Sequence, residues 1–499
     1  MRPYRPSDKP HDAPQASLKM ALENFRAFQN SGEFSLAPLT LLVGANSSGK
    51  STIMSALLVL KQSIEQELIG SRIGPLVLSG PYCDLGQYTD VVYGHRRAGP
   101  IGFTIAIPMQ GMALPRITSP LIRLAIPQAR WSKRGYRYYP QITSRPPSSG
   151  LARIKLEFQT DEPFGPTLSR IEVAVEGVGQ VNCVRTVGGE RRQHWRTYTQ
   201  VLPPQSISVA LHRYEFFPRF YPREAVYGTQ ASRTKERINR FASAANFAIE
   251  YVQQMLAASE VMGPFRTPPE RKYSFSGFTT TKAGPSGSNA PNLLITEKLL
   301  KSRGRPLQHA VRYWLRHLGL ARNVSIEDIA RGVNLYHMEI RVRGKRAAEN
   351  VADVGYGVSQ VLPVIVQGLL VPRGGIYMVQ QPELHLHPDA QAAMADYFIY
   401  LVKAGVRVIV ETHSEYLLLR VRRRLAEIES RRRPRGTKSD PRISRDTVSV
   451  LRTSIESGGA TVSELKIGPG FQFENLPADF MSQSLDDRIS LLKTVARHG

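Results

Sequence analysis

The segment Gly44 to Ser51, GANSSGKS, constrains this chain more than any other. It fits the spacing G-x-x-x-x-G-K-[ST] and stands between two segments of different character. Ahead of it, the apolar run Leu39 to Val43 reads as a buried strand; after it, TIMSALLVLKQSIEQEL lacks Gly and Pro and predicts a helix. Strand, glycine loop and helix in that order form a phosphate site. Gly44 and Gly49 let the backbone wrap a polyphosphate, amides at the helix N-terminus face its oxygens, Lys50 reaches the β and γ phosphates, and Ser51 ligates Mg²⁺. The expected nucleotide-binding residues are Gly44, Asn46, Ser47, Ser48, Gly49, Lys50, Ser51 and Thr52. A plain glycine-serine turn is the alternative, and the flanking strand and helix argue against it.

Composition sets outer limits. The 499 residues allow two to four domains, and 41% apolar residues suffice for a packed core, which excludes wholesale disorder. Two cysteines, Cys83 and Cys183, exclude a disulfide framework and show no metal-site spacing. No run of about 18 apolar residues occurs, and MRPYRPSDKPHDAPQ at the N-terminus has no signal-like apolar core, so a cytoplasmic protein is expected. Lys and Arg number 66 against 41 Asp and Glu, a net +25. That excess suggests either an anionic partner such as nucleic acid or a generally solvated basic surface, and it says nothing about fold.

Along the chain, Leu18 to Val43 alternates as two or three strands with polar turns. Residues 101–225 hold short alternating segments such as ARIKLEFQT and SRIEVAVEG, which predict an antiparallel β lobe. Ala231 to Ser259 and Asn292 to Leu320 predict helices around a Gly, Pro, Ser and Thr-rich loop. The last third returns to α/β alternation. Strands are expected at Val333 to Val342, Ile376 to Val379 and Val406 to Val410, and helices at Val358 to Leu370, Ala390 to Lys403 and Glu415 to Glu429. The resulting division is 16–100 and 331–430 as the two halves of an α/β nucleotide core, 101–225 as the β lobe, 226–330 as a helical insertion, and 431–499 as a basic loop and C-terminal segment.

Four further segments narrow the reading: NFRAF near the start, DVGYGVSQ from Asp353, IYMVQQPELHLHP from Ile376 and VIVETHS from Val408. In this order they resemble the ABC-type P-loop ATPases of the RecF, SMC and OLD group, and more closely the bacterial AAA-type ATPases with GxNxSGKS, GxGxSQ, EQPExHLHP and ETHSE motifs. GPFRTPPERKYSFSG from Gly263 and GPGFQFENLPADF near the end are similar to two more segments of that family. The resemblance covers about residues 16–100 and 260–480 and the β lobe only loosely. It implies an ABC-ATPase-like P-loop head of α/β class with an antiparallel β lobe and an inserted helical region, binding ATP and Mg²⁺. By the same resemblance, Gly357 and Ser359 contact the γ-phosphate held by a second subunit, making ATP the glue of a head-to-head homodimer or higher oligomer. His413 matches the switch histidine that senses the γ-phosphate, and Gln87 loosely matches the Q-loop glutamine.

One departure stands out. Where relatives read Glu-Gln-Pro-Glu or Glu-Glu-Pro-Glu after the Walker B strand, this chain has Gln380 and Gln381. Gln380 thus occupies the place of the acid that holds the Mg²⁺ water shell, and an amide supplies neither charge nor a proton acceptor. Either the position carries an engineered Glu-to-Gln change, the explanation favoured by the intact surroundings, or the chain is naturally a weakly hydrolysing switch. Ser51 and Gln380 are the expected metal-side residues, and Gln380, Gln381 and His413 the expected catalytic positions. Glu383 and Glu411 are the remaining local acids, either able to serve Mg²⁺ or water, with Glu383 better suited to an interface or hydrogen-bonding role. His385, His387 and Asp389 read alternatively as a metal cluster, a weaker reading because HLHP belongs to the family motif.

Many ATPases of the resembled type are sensor halves of bacterial anti-phage systems. The stretch after His413 is too short for a fused TOPRIM nuclease, so a separately encoded nuclease or toxin is the expected effector. A RecF-like ATPase that binds DNA directly is the alternative. Two basic segments bear on that choice: Gln128 to Pro140, QARWSKRGYRYYP, with interleaved aromatics, and Arg420 to Arg435, with eight arginines against two glutamates. Each also reads as a solvated surface.

Overall fold

The computed structural model describes residues 16–65, 76–95, 99–109, 150–160, 165–187, 193–200, 202, 206–210, 216–222, 232–275, 277, 281–300, 305–330, 333–342, 344–430, 443–456 and 458–474. The segment Gln128 to Pro140 and the arginines Arg431, Arg432, Arg433 and Arg435 lie outside these.

The centre is a six-stranded sheet built from distant parts of the sequence. Its strands are β4 (Leu39–Gly44), β12 (Glu260–Met262), β17 (Ile376–Gln380), β18 (Arg407–Glu411), β19 (Val448–Glu456) and β20 (Gly459–Glu464), in the order β12-β17-β18-β4-β19-β20. All neighbours are parallel except β20, which runs antiparallel to β19. A parallel sheet needs cover on both faces, hence the nearly unbroken apolar runs LTLLV, IYMV and VIV. Side chains alternate between faces with period two. Leu42, Ile376, Met378 and Ile409 enter one core, and Leu41, Val43, Tyr377, Val379, Val408 and Val410 enter the other.

The first core is closed by α1 (Lys50–Glu65), the long α3 (Ser232–Ala257) and a larger antiparallel sheet. That sheet runs β2 (Phe28–Asn30), β1 (Leu18–Phe25), β5 (Ile101–Pro108), β6 (Leu151–Thr160), β7 (Pro166–Val175), β8 (Gly179–Val187) and β9 (Gln193–Gln200), with β3 (Phe34–Leu36) paired to β1. The described strands between Ile101 and Gln200, within the expected β lobe, are antiparallel as expected, and β1 joins their sheet: Met20 pairs with Ile105 across the division expected at residue 100. The second core lies under α4 (Ala290–Leu299), α5 (Pro306–His317), α6 (Tyr356–Leu370), α7 (Pro388–Lys403) and α8 (Glu415–Ser430).

Several strands went unassigned in the sequence. The 226–330 segment supplies β12 to the central sheet and β14 (Asn323–Asp328), which pairs with β15 (Leu335–Arg341) in a small antiparallel sheet. The C-terminal segment supplies β19 and β20, so that β4 is flanked on both sides by strands from the last hundred residues. Cys83 and Cys183 are free thiols, and burial pushes both up to about 12. Among the described residues, no helix is long and apolar enough to cross a membrane.

Candidate functional site

The site begins where β4 ends. Gly44 has φ +139°, and a Cβ there would lie 2.4 Å from the Thr453 carbonyl oxygen of β19, so only glycine fits. The chain then turns through Ser47 at φ +61° and Gly49 at +104° and enters α1 at Lys50. The positive end of the α1 dipole and its first-turn amides belong to this loop. Ser48 is turned inward: its hydroxyl contacts the Ala45 carbonyl at 2.8 Å and the Thr453 hydroxyl, which fastens the loop to β19. Lys50 is buried, its ammonium donating to the carbonyls of Ala45 at 2.6 Å and Gly44 at 3.1 Å. Burial lowers its pKa from the ordinary lysine value, and the Glu411 charge opposes that shift.

β17 and β18 lie side by side in parallel, with Gln380 in register with Glu411. Glu411 is buried, and the Ser51 hydroxyl faces both its carboxylate oxygens, at 2.9 and 3.0 Å. The Gln380 side-chain amide donates to Oε2 of the same carboxylate at 3.2 Å. Gln381, at φ +44°, donates its backbone N–H to the Glu411 carbonyl at 2.8 Å. Arg266, from the Pro-Arg segment and itself buried, donates to the carbonyls of Gln380 and Gln381 at 2.8 and 3.1 Å. The end of β17 is thus held from behind by a guanidinium and from the side by β18. The charge missing at position 380 is present one strand over.

An open cavity of about 430 Å³ sits over the loop. Asn46, Ser47, Gly49, Lys50, Ser51, Thr52, Gln381, Glu411 and His413 line it; Ser48 and Gln380 do not. His413 is exposed, and its backbone N–H donates to Glu383 Oε1 at 2.6 Å. Glu383 therefore positions the loop that carries the histidine. The opposite wall was not anticipated: Arg26, Asp90 and His95. Asp90 lines the cavity and Gln87 does not; the Gln87 backbone N–H donates to the Asp90 carboxylate at 2.8 Å. The sequence signs near this wall were NFRAF, in which Asn24 and Arg26 adopt positive φ, 54° and 49°, and Gln87, three residues before Asp90.

Gly357 and Ser359 stand apart from this cavity. Ser359, buried in the first turn of α6, donates to the Tyr356 carbonyl at 3.0 Å and lines a separate cavity of about 230 Å³. Gly357 lies against the His385 carbonyl. His387 caps α7, its Nδ1 accepting the Asp389 N–H at 3.4 Å. Among the described residues, no group of three or more His, Cys, Asp or Glu is gathered as a metal ligand set.

Three of the four arginines in the described part of the basic run share two carboxylates within the chain, Asp396 and Glu427. Asp396 of α7 accepts from Arg420 at 3.0 Å, from Arg424 at 2.6 and 2.9 Å, and lies 3.1 Å from His317. Burial alone would raise this carboxyl, but the hydrogen bonds from His317 and Arg424 and the charges of Arg424 and Arg420 hold it well below the usual carboxylate range. Arg423 pairs with Glu427 at 2.7 Å, and Arg422 donates to the Phe471 carbonyl at 2.5 Å.

Two stretches, residues 18–83 and 328–418, match the family model described as the AAA ATPase domain. They contain the phosphate loop, α6, β17, β18 and His413. No curated protein matches the chain by sequence. Among solved structures, the chain is similar to an SMC head bound to the C-winged helix domain of ScpA, at 13% identity over 91% of this chain and 98% of that one, TM-score 0.41. It is also similar to the SMC head domain from Thermotoga maritima, at 9% identity over 91% and 100%, TM-score 0.34. A third is an SMC head domain with an extended coiled coil bound to the C-terminal domain of ScpA derived from Pyrococcus furiosus, at 10% identity over 96% and 99%, TM-score 0.38.

Proposed function

We propose that this chain binds ATP with Mg²⁺ over its phosphate loop, joins a second copy of itself through that nucleotide, and serves as sensor and scaffold for a separately encoded effector in bacterial anti-phage defence. One observation carries the nucleotide reading. A buried lysine at the N-terminus of α1 lies in a cavity whose wall also holds a hydroxyl, a carboxylate and an exposed histidine. Lys50 and the α1 dipole supply positive potential for a polyphosphate. Ser51 and Glu411 are hard oxygen donors at hydrogen-bond distance from each other, a donor set that suits Mg²⁺. When bound, that ion neutralises charge on the phosphate oxygens. His413 is placed at the rim to hydrogen-bond the far phosphate.

The end of β17, where Gln381 lines the cavity and Gln380 stands behind it, supports slow turnover. Gln380 and Gln381 are neutral amides, and neither accepts a proton from an attacking water. Support for the homodimer comes from Gly357 and Ser359, which lie away from the chain's own loop cavity, as residues serving a neighbour's nucleotide must. Support for the defence role is the motif set itself. Direct DNA binding is the weaker reading, because three of the four described arginines of α8 are paired with carboxylates of the chain.

The test is the mass of the protein by sedimentation with no nucleotide, with ADP and with ATP plus Mg²⁺. A shift to dimer or higher oligomer with ATP, absent in Lys50→Ala, is expected. An unchanged mass with ATP bound would refute nucleotide-driven association.

A further inference from the structure

We infer that Glu411, on the strand beside the usual one, is the carboxylate that recruits the divalent cation to this site, and that Gln380 is its positioning residue. The inference rests on the nucleotide reading above. The strands at the site end in a Gln and a Glu in register, Gln380 on β17 and Glu411 on β18. Only the second carries charge. Its carboxylate is buried and turned toward the phosphate loop, where the Ser51 hydroxyl donates to it. A serine that gives its one proton to a carboxylate has both lone pairs left for a cation.

The other acids near the cavity make no contact with the phosphate loop, although Glu383 Oε2 is buried without a hydrogen-bond partner among the described residues. Glu383 Oε1 holds the His413 N–H at 2.6 Å, and Asp90 accepts the Gln87 N–H on the opposite, exposed wall. Glu411 alone among these touches the loop. The Gln380 amide donates to Oε2 at 3.2 Å and thereby fixes the carboxylate's rotation, a neutral tether where a second carboxylate would repel the first. The arrangement separates two duties that neighbouring acids often share: charge for the cation comes from β18, and the end of β17 supplies only orientation.

The experiment uses the full chain and Mn²⁺ as the probe, its binding followed by electron paramagnetic resonance in the presence of ATP. ATP affinity in EDTA is measured alongside with a fluorescent analogue. Glu411→Gln is expected to lower Mn²⁺ affinity of the ATP complex by at least roughly tenfold, while ATP affinity in EDTA is held or raised. Glu411→Asp, which keeps the charge on a shorter stem, is expected to fall between, and Gln380→Ala to lose less than Glu411→Gln. Full Mn²⁺ affinity in folded Glu411→Gln, or a greater loss in Gln380→Ala than in Glu411→Gln, would overturn the assignment while leaving the nucleotide reading in place. A wild-type chain that binds no ATP in EDTA or with Mn²⁺ would overturn both.

Discussion

The Ser51 hydroxyl at the start of α1 donates to the Glu411 carboxylate at the end of β18, across 360 residues of sequence. This contact joins the phosphate loop to β18 and fixes where negative charge sits in the site. Loss of the carboxylate has been treated above; the remaining expectations follow from groups around it.

Lys50→Ala removes the buried ammonium that faces the cavity. Hydrogen bonds to a charged group contribute about 1.5–3 kcal/mol, so ATP affinity is expected to fall roughly tenfold to more than a hundredfold by calorimetry. The Gly44 and Ala45 carbonyls lose their donor, but Ala45 is exposed and Gly44 only half-buried, so the melting temperature should change little.

Gly44→Ala acts on the fold as well as the site. Its φ of +139° and the 2.4 Å approach to the Thr453 carbonyl force the β4 end away from β19. Strain of this kind costs on the order of 1–3 kcal/mol before the clash is counted. A drop in melting temperature together with lost ATP binding is expected; a variant as stable as wild type would show that β19 does not pack against the loop.

How much of this was legible in the sequence divides along local and distant lines. The loop, the start of α1, α6, β17 and β18 are each announced by contiguous residues, and the structure places them within a residue or two of expectation. Glu411 was visible as an acid but not as the partner of Ser51, because that contact depends on β18 lying next to both β4 and β17. Thr453 and the strands β19 and β20 were missed for the same reason: VSVLRTSIE is a short alternating run whose place beside β4 follows from sheet order alone. The arginines of α8 were counted as free charge because Asp396, an α7 residue, carries no sign in sequence that it faces them.

The Asp396 cluster should therefore be structural. Asp396→Asn leaves Arg420 and Arg424 without their carboxylate and is expected to lower stability by about 1–3 kcal/mol in denaturant unfolding, with ATP affinity unchanged. Charge reversal of Arg431, Arg432 and Arg433 should by contrast abolish any binding of an acidic partner or DNA and spare ATP binding. Unchanged partner binding in that triple variant would reject a role for the run.

Stability should also carry a pH signature from Glu297 of α4. Its carboxylate accepts the Leu307 and Gln308 N–H groups at 2.7 and 2.8 Å, capping α5, and burial pushes it up to about 7. The folded state then holds a proton that the unfolded chain releases near the ordinary value of 4.5. This contribution is full below that value and is lost as pH rises through about 7. Asp396, shifted the other way, loses its contribution only as pH falls below the ordinary 3.8. Melting temperature measured across pH 5 to 8 should fall for the wild type from the Glu297 effect, and the slope should flatten in Glu297→Gln.

The most direct test of the account is phosphate release from ATP by the wild-type chain and by Gln380→Glu under saturating Mg²⁺. The account expects the wild type to hold ATP yet release phosphate very slowly, and Gln380→Glu, which sets a proton-accepting carboxylate beside Glu411, to release it at least about tenfold faster. Equal rates from the two proteins would contradict it.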